Sequence, residues 1–380
     1  MTSKEMSCSG HFGGMSPRGI FRMNDGQKPD DAEPAKSLRD EFKDRRPTIN
    51  DVARLTGVSK KTVSRVINKS PAVKENTRED ILRVMHEIGY APDPQARGLA
   101  FRRSFLIGMI YDNPNPQYVV NMQQGLLDGM RGTGFELVVH PCDRASETFL
   151  VDVRNFVERQ KLYGVILTPS VSEDERVPPI LRQIGCEFIR IASVSLDEPE
   201  HMIVSHDHLG GAAAGRHLAE LGHTRIGFIS GRESFRSSHE RRRGLEEALT
   251  QAGLSLDEDL VASGAYTFES GFECAIDLLQ RPKRPTAIFA ANDEMAAGVL
   301  QAARTLDIRV PDALSVVGFD NFQLAERLWP RLTTVHTPTR EIGRRASTKL
   351  VNPQSAVEIE RDDPRALPSL VIRDTTSPPI

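Results

Sequence analysis

The chain has a single tryptophan, only four cysteines and no apolar run near the length that a bilayer crossing needs. No stretch is thereby expected to cross a membrane as a helix. Cys8, Cys142, Cys186 and Cys274 lie far apart, and no pair has metal-ligand spacing. So few thiols suit a reducing compartment better than a disulfide framework, and three of them sit in apolar surroundings as expected core residues. The first residues lack the basic-then-apolar pattern of a secretory signal, so a cytoplasmic protein is expected. Also missing are a G-x-S-x-G elbow, a phosphate-cradling G-x-x-x-x-G-K, a G-x-G-x-x-G after a strand and an H-E-x-x-H pair. Histidine beside carboxylate, as in His206–Asp207, is too weak a signal for catalysis. An enzyme is not expected, nor is a cofactor or a metal.

Charge is present but unevenly placed. The 380 residues carry a net charge of −3. Between Arg45 and Arg103 there are thirteen Lys/Arg against six Asp/Glu, a surplus of seven, which leaves the remainder about ten negative. A small basic module on an acidic body suits a protein that meets a polyanion at one end only.

That module contains TINDVARLTGVSKKTVSRVIN, Thr48 to Asn68. Thr48 with Asp51 three residues on is a variant capping box for a first helix. Ile49, Val52, Ala53 and Leu55 give it an apolar face, and Gly57 supplies the turn. Ser59 caps a second helix, with Val63, Val66 and Ile67 facing inward at helical spacing. Lys60 and Lys61 project from its first turn, Arg65 lies one turn on, and Asn68 is its stop. The pattern is a helix-turn-helix whose second helix leads with long cations, the kind of end that enters the DNA major groove. Thr77 and Asp80 suggest the cap of a third helix, with Ile81, Val84, Met85 and Ile88 as its core stripe and Gly89 at its end. Asp93 and Pro94 then open about two helical turns, too short to be stable alone in water.

Residues 1–46 are poor in large apolar side chains and read as a disordered extension, with Met23 an alternative start. Arg45 and Arg46 are placed to touch phosphate. From Phe105 onward, short buried strands (FLIGMIY, FELVVHP, GVILTP, EFIRIA, RIGFISG, LSVVGFD) alternate with helices. That alternation means parallel, doubly wound sheets, and there are too many strands for one.

The run from Thr48 to Ala100, followed by HLAELGHTRIGFISG, TAIFAANDEMAAGVL, LSVVGFDN and WPRLTTV, resembles the lac repressor/galactose repressor (LacI/GalR) family of bacterial transcription regulators. The resemblance covers nearly everything after residue 47. It implies an all-α helix-turn-helix headpiece (47–91), a hinge helix (92–104) and an α/β periplasmic-binding-protein-like core of two lobes (105–380). The lobes are expected at 105–204 with 335–364, and at 205–334 with 365–375. It further implies a homodimer on a pseudo-palindromic double-stranded operator. Thr48, Ser59, Lys60, Lys61, Thr62, Ser64, Arg65 and Asn68 are the expected DNA contacts in the headpiece. Ala96 matches the small residue between paired hinge helices, and Leu99 the leucine wedged into the minor groove.

Ligands of such cores bind between the lobes at strand ends. Arg241 matches the effector-contacting arginine, and a guanidinium grips two hydroxyls or a carboxylate. Asn292 offers donor and acceptor as well as a helix cap, and Asp320 accepts from hydroxyls. Tyr266 and Phe268 are placed to stack on a sugar face, with a core position the alternative for Phe268. Trp329 would close the cleft, and Ser237 is a secondary contact. Ala192 stands where several relatives have an acidic contact, with Arg190 two residues earlier, and His206 stands where aspartate is usual. The expected effector is a sugar or glycoside, and the protein a repressor of carbohydrate-utilisation genes. An anionic metabolite is the alternative, with Arg190 and Arg241 both in the cleft, as is a sugar-binding protein without a regulatory role.

Overall fold

A computed structural model describes residues 41–67, 70–91, 104–353 and 364–380. The chain divides into two compact units, Met1–Pro92 and Asp93–Ile380. The expected roles of Asn68, Ala96 and Leu99, and of the hinge helix, lie outside the described residues, as does most of the expected disordered extension.

In the first unit, α1 (Ile49–Thr56), α2 (Lys60–Ile67) and α3 (Glu75–Ile88) close on a core of Val52, Ala53, Val63, Val66, Val73, Ile81, Val84 and Ile88. Thr48 donates from its backbone N and its hydroxyl to Asp51 Oδ2, at 2.8 and 2.7 Å. Gly57 ends α1 at φ +66°, the left-handed turn that glycine adopts without a side-chain clash. Three expectations are corrected here. The module begins before residue 47, because Phe42 is buried in the same core. Arg45 does not present a free cation, because its two terminal nitrogens donate to both oxygens of Asp51, at 2.8 and 2.6 Å. That pairing, together with Thr48, holds the Asp51 carboxyl below its ordinary range. The third helix starts at Glu75 rather than after Thr77, with an acidic side chain in its first turn where the helix dipole favours one.

The second unit contains two sheets. The first is parallel throughout, in the order β2 (Glu136–Pro141), β1 (Leu106–Tyr111), β3 (Gly164–Leu167), β4 (Glu187–Ala192), β5 (Met202–Val204). Around it lie α4 (Pro116–Met130), α5 (Phe149–Gln160), α6 (Val177–Gln183) and, from far down the chain, α12 (Thr339–Val351), which packs along α4. The second sheet has the order β11 (Ser369–Val371), β10 (Thr333–His336), β9 (Ser315–Asp320), β8 (Ala287–Ala290), β6 (Ile226–Ser230), β7 (Val261–Ser263). Its edge strand β11 runs antiparallel to β10, the one departure from the expected parallel pattern. Helices α7 (Asp207–Glu220), α8 (Arg236–Gln251), α9 (Phe268–Leu279), α10 (Asp293–Thr305) and α11 (Gln323–Arg327) accompany it.

The chain passes from one sheet to the other at 204–207, at 336–339 and again between 352 and 369. Each lobe has its own core: Phe228, Phe289 and Phe319 centre one, and Ile107, Met109 and Ile166 the other. Helices α7 and α8 touch backbone to backbone. A β-carbon at Gly211 would sit 2.1 Å from the Arg241 carbonyl oxygen, and one at Gly244 1.9 Å from that of His208. This close approach fixes where Asp207 and Arg241 lie relative to each other.

Candidate DNA-reading helix and inter-lobe cleft

In the first unit, Lys60, Lys61 and Arg65 are exposed on α2, while Val63 and Val66 on its opposite side are buried. Ser59 caps this helix, its hydroxyl accepting from Thr62 N at 3.2 Å and sharing a 2.9 Å bond with the Thr62 hydroxyl. The helix-turn-helix geometry thus turns three long cations outward from one rigid element. Such a surface can approach base edges and phosphates together. Thr48 and Ser59 are engaged in the two helix caps.

In the second unit, the carboxyl ends of the strands face a cavity between the lobes. It is lined by Asn113, Asn115, Tyr118, Asp207, Phe235, Ser237, Arg241, Tyr266, Asn292, Asp320 and Thr337, with apolar Pro169, Ile191 and Ile342. Ser170, His206, Tyr266, Asp320 and Asn321, all on or just after strand ends, have positive φ, from +55 to +110°. Non-glycine residues held so are strained, and such strain gathers where side chains must be aimed.

Arg241 is the electrostatic centre. Its Nε and Nη2 lie 2.9 and 2.8 Å from Asp207 Oδ1, and Nη1 donates to the Ala291 carbonyl. The guanidinium carbon stands 3.7 Å from the centroid of the Phe319 ring, a cation–π contact in a desolvated place. Asp320 lies further off, at 3.8 Å from Nη2. Burial pushes the Asp320 carboxyl well above its ordinary value, and Arg241 only partly offsets this. Ser193 from one lobe and Ser205 at the crossing both donate to Asp207 Oδ2. The Tyr266 ring meets Phe235 edge-on at 5.5 Å, and burial raises its phenol.

Two amides at the cavity differ in what they have left to give. Both polar atoms of Asn292 are engaged: its Oδ1 accepts from Met295 N, capping α10, and its Nδ2 donates to the Tyr266 carbonyl. Asn115 caps α4 through Oδ1, which accepts from Gln117 N and Tyr118 N. That cap fixes the flip of the amide, so Nδ2 is turned away from the helix, buried and without a partner. The Thr337 hydroxyl is likewise buried and unpartnered.

Residues 48–93 match the family model of bacterial regulatory proteins, lacI family, and residues 216–376 the periplasmic binding protein-like domain. The chain is 35% identical over 350 residues to the HTH-type transcriptional regulator DegA of Bacillus subtilis (strain 168), covering 87% of this chain and 98% of that one. The chain belongs to the LacI family. A solved complex of the transcriptional regulator CelR with cellobiose matches with a TM-score of 0.64 and 30% identity, over 87% of this chain and all of the other. The lac repressor dimer bound to operator and the anti-inducer ONPF matches with a TM-score of 0.70 and 27% identity, over 88% and 100%. Like these relatives, this LacI-family protein is a DNA-binding transcriptional regulator and not an enzyme. Among the described residues, no helix is long and apolar enough to cross a membrane.

Of the cleft residues expected from the LacI-family resemblance, Ser237, Arg241, Tyr266, Asn292 and Asp320 line the cavity and three do not. Arg190 is 1% exposed and points into the wall of its lobe. Its donors go to the Ser172 and Leu196 carbonyls, to Glu175 and to Asp197, so its strand neighbour Ile191 is the residue that faces the cavity. Trp329 is 89% exposed on the loop between α11 and β10 and is not among the residues that line the cavity. Phe268 opens α9, where its carbonyl packs against Gly298, and Tyr266 two residues earlier takes the ring position in the cavity. Residues that sequence reasoning missed are Asn113, Asn115, Tyr118, Ser205, Asp207, Phe235 and Thr337. The Asn115–Pro116 pair is a helix-start signal that could have brought Asn115 forward.

Proposed function

We propose that this LacI-family regulator is a cytoplasmic, homodimeric repressor of carbohydrate-utilisation genes, released from a pseudo-palindromic operator by a neutral sugar or glycoside bound between its lobes. The observation that carries the ligand class is the set of polar atoms the cavity leaves over. Asn115 Nδ2 is a donor without an acceptor, the Thr337 hydroxyl has no partner, and the Asp320 carboxylate is held only loosely by Arg241. A buried polar atom left unpaired costs about 1–3 kcal/mol, which a ligand rich in hydroxyls would recover. The guanidinium of Arg241 is already paired with the Asp207 carboxylate, so the cavity has no cationic surplus for an anion. With Arg190 spent in the wall, the anionic-metabolite reading loses its second cation.

The cavity encloses about 50 Å³. Small-molecule sites commonly span about 300–1,000 Å³, so a sugar enters only as the lobes part. Entry coupled to lobe spacing is the kind of differential binding through which an effector shifts a regulator between two states. On the other unit, Lys60, Lys61 and Arg65 read base edges, with Thr62 and Ser64 contacting the backbone.

The test is a thermal-shift screen of mono- and disaccharides, with cellobiose first because CelR binds it, beside hexose phosphates. A ligand at about 100 times its Kd should add about 2.7 kcal/mol to native stability. Neutral sugars should raise the melting temperature and release an operator fragment in a gel shift. A response to hexose phosphates alone would refute the ligand class.

A further inference from the structure

Helix α8 carries Ser237 and Arg241 into the cavity, yet its start has no cap of its own. The residue at the cap position is Phe235, whose side chain accepts nothing. The first backbone N–H of the helix, that of Arg236, instead donates to Glu173 Oε2 at 3.1 Å. Glu173 belongs to the other lobe, on the single turn Val171–Glu173 that follows β3. A helix N-terminus is thus capped by a carboxylate from across the cleft. Phe235, immediately before it, is 3% exposed and lines the cavity.

Glu173 has few other reasons to be where it is. Its Oε1 is out of reach of solvent and has no hydrogen-bond partner. Its carboxyl is pushed upward by burial, with the Arg236 amide acting the other way. A half-buried carboxylate is costly unless it is hydrogen-bonded, and its hydrogen bond lies on the opposite lobe. The turn that carries it is held firmly by the wall: Arg190 donates to the Ser172 carbonyl at 2.8 Å, and the Ser172 hydroxyl to the Ile191 carbonyl at 2.6 Å. The helix on the other side is fixed by its glycine contact with α7. Two rigid elements therefore meet at one hydrogen bond. A weaker contact between the same lips, Arg144 Nη1 to the Ser234 carbonyl at 3.5 Å, lies alongside.

We propose that Glu173 is a positioning residue that latches the two lobes, capping α8 only when they are closed and so aiming Ser237 and Arg241 into the cavity. Parting the lobes removes the cap, leaving the helix start and the carboxylate to water. The meaning of the latch rests on the cavity being the effector site, but its existence can be tested with no ligand at all.

Hydrogen exchange by mass spectrometry on the full chain supplies the test. In Glu173→Ala, amides of residues 237–239 should exchange roughly fivefold faster, the loss expected of a cap. Segments 113–118 and 266–268, which line the cavity on separate lobes, should also exchange faster. Glu173→Gln, which keeps an acceptor oxygen, should restore most of the protection. A second variant, Arg236→Pro, deletes the donated N–H together with the Arg236 side chain, at a first-turn position that tolerates proline after an extended residue, and Arg236→Ala, which removes the side chain alone, is its control. The proline variant should reproduce the faster exchange of 113–118 and 266–268 with Glu173 intact. Faster exchange confined to 237–239 would mean a cap without a latch and would overturn the proposal. So would unchanged exchange in Glu173→Ala, or a general loss of protection there that Arg236→Pro does not reproduce.

Discussion

Arg241 is bound to Asp207 through two of its nitrogens, and both residues are more than nine-tenths buried, on helices whose backbones touch through Gly211 and Gly244. The pair supplies the cavity with one fixed guanidinium face while cancelling most of its charge. Removing either partner leaves the other as an uncompensated buried charge, which costs about 3–5 kcal/mol. Asp207→Ala and Arg241→Ala should each lower the unfolding free energy by that order, read as a fall in the urea midpoint at unchanged m. At temperatures where they remain folded, both should still bind operator but fail to respond to the effector. A normal response in both variants would place the effector elsewhere.

Arg65 is exposed near the end of α2, one turn beyond Lys60 and Lys61. Arg65→Ala should weaken operator binding by about 1–3 kcal/mol and leave binding to random DNA nearly unchanged. An equal loss on both, measured by titration at a fixed salt concentration, would make it a phosphate contact instead.

Phe42 joins the headpiece core, and Arg45, whose guanidinium carbon is 4.9 Å from the centroid of its ring, pins Asp51. Phe42→Ala should cost the headpiece about 3–5 kcal/mol, as large-to-small core changes do. A chain beginning at residue 47 should melt lower than one beginning at residue 41. Equal melting temperatures would show that the segment before α1 adds nothing.

Burial pushes the Asp293 carboxyl up to about 7, although Thr334 and the Phe322 amide donate to it. The folded protein therefore holds a proton that the unfolded chain releases near the ordinary carboxylate value. Stability from this group is greatest in acid and falls as pH rises toward about 7, levelling off above. Asp320, raised in the same direction, adds to the slope. Asp293→Asn should flatten the dependence of the urea midpoint between about pH 5 and pH 8. An unchanged slope would remove Asp293 from the account.

Much of this protein is written locally. The helix-turn-helix follows from Thr48, Asp51, Gly57 and Ser59, because caps and tight turns depend on residues within one turn of each other. The strands of both sheets follow from short apolar runs, and Asn292 is recognisable as a cap at the end of one. Boundaries set by distant partners were not legible. Helix α8 begins at Arg236, whose N–H donates to Glu173, sixty-three residues earlier in the chain. Phe42 is core only because three helices close over it.

The sequence by itself determined the fold class, the family and the outward cations of the second helix, since these depend on periodicity, capping and residue type. Which side chains face the cavity between the lobes was decided by the tertiary structure alone. Arg190 and Arg241 are equally cationic on paper. One is consumed by carbonyls and carboxylates in a lobe wall while the other is held at the cavity, and only packing across the chain distinguishes a buried strut from a cavity-lining group.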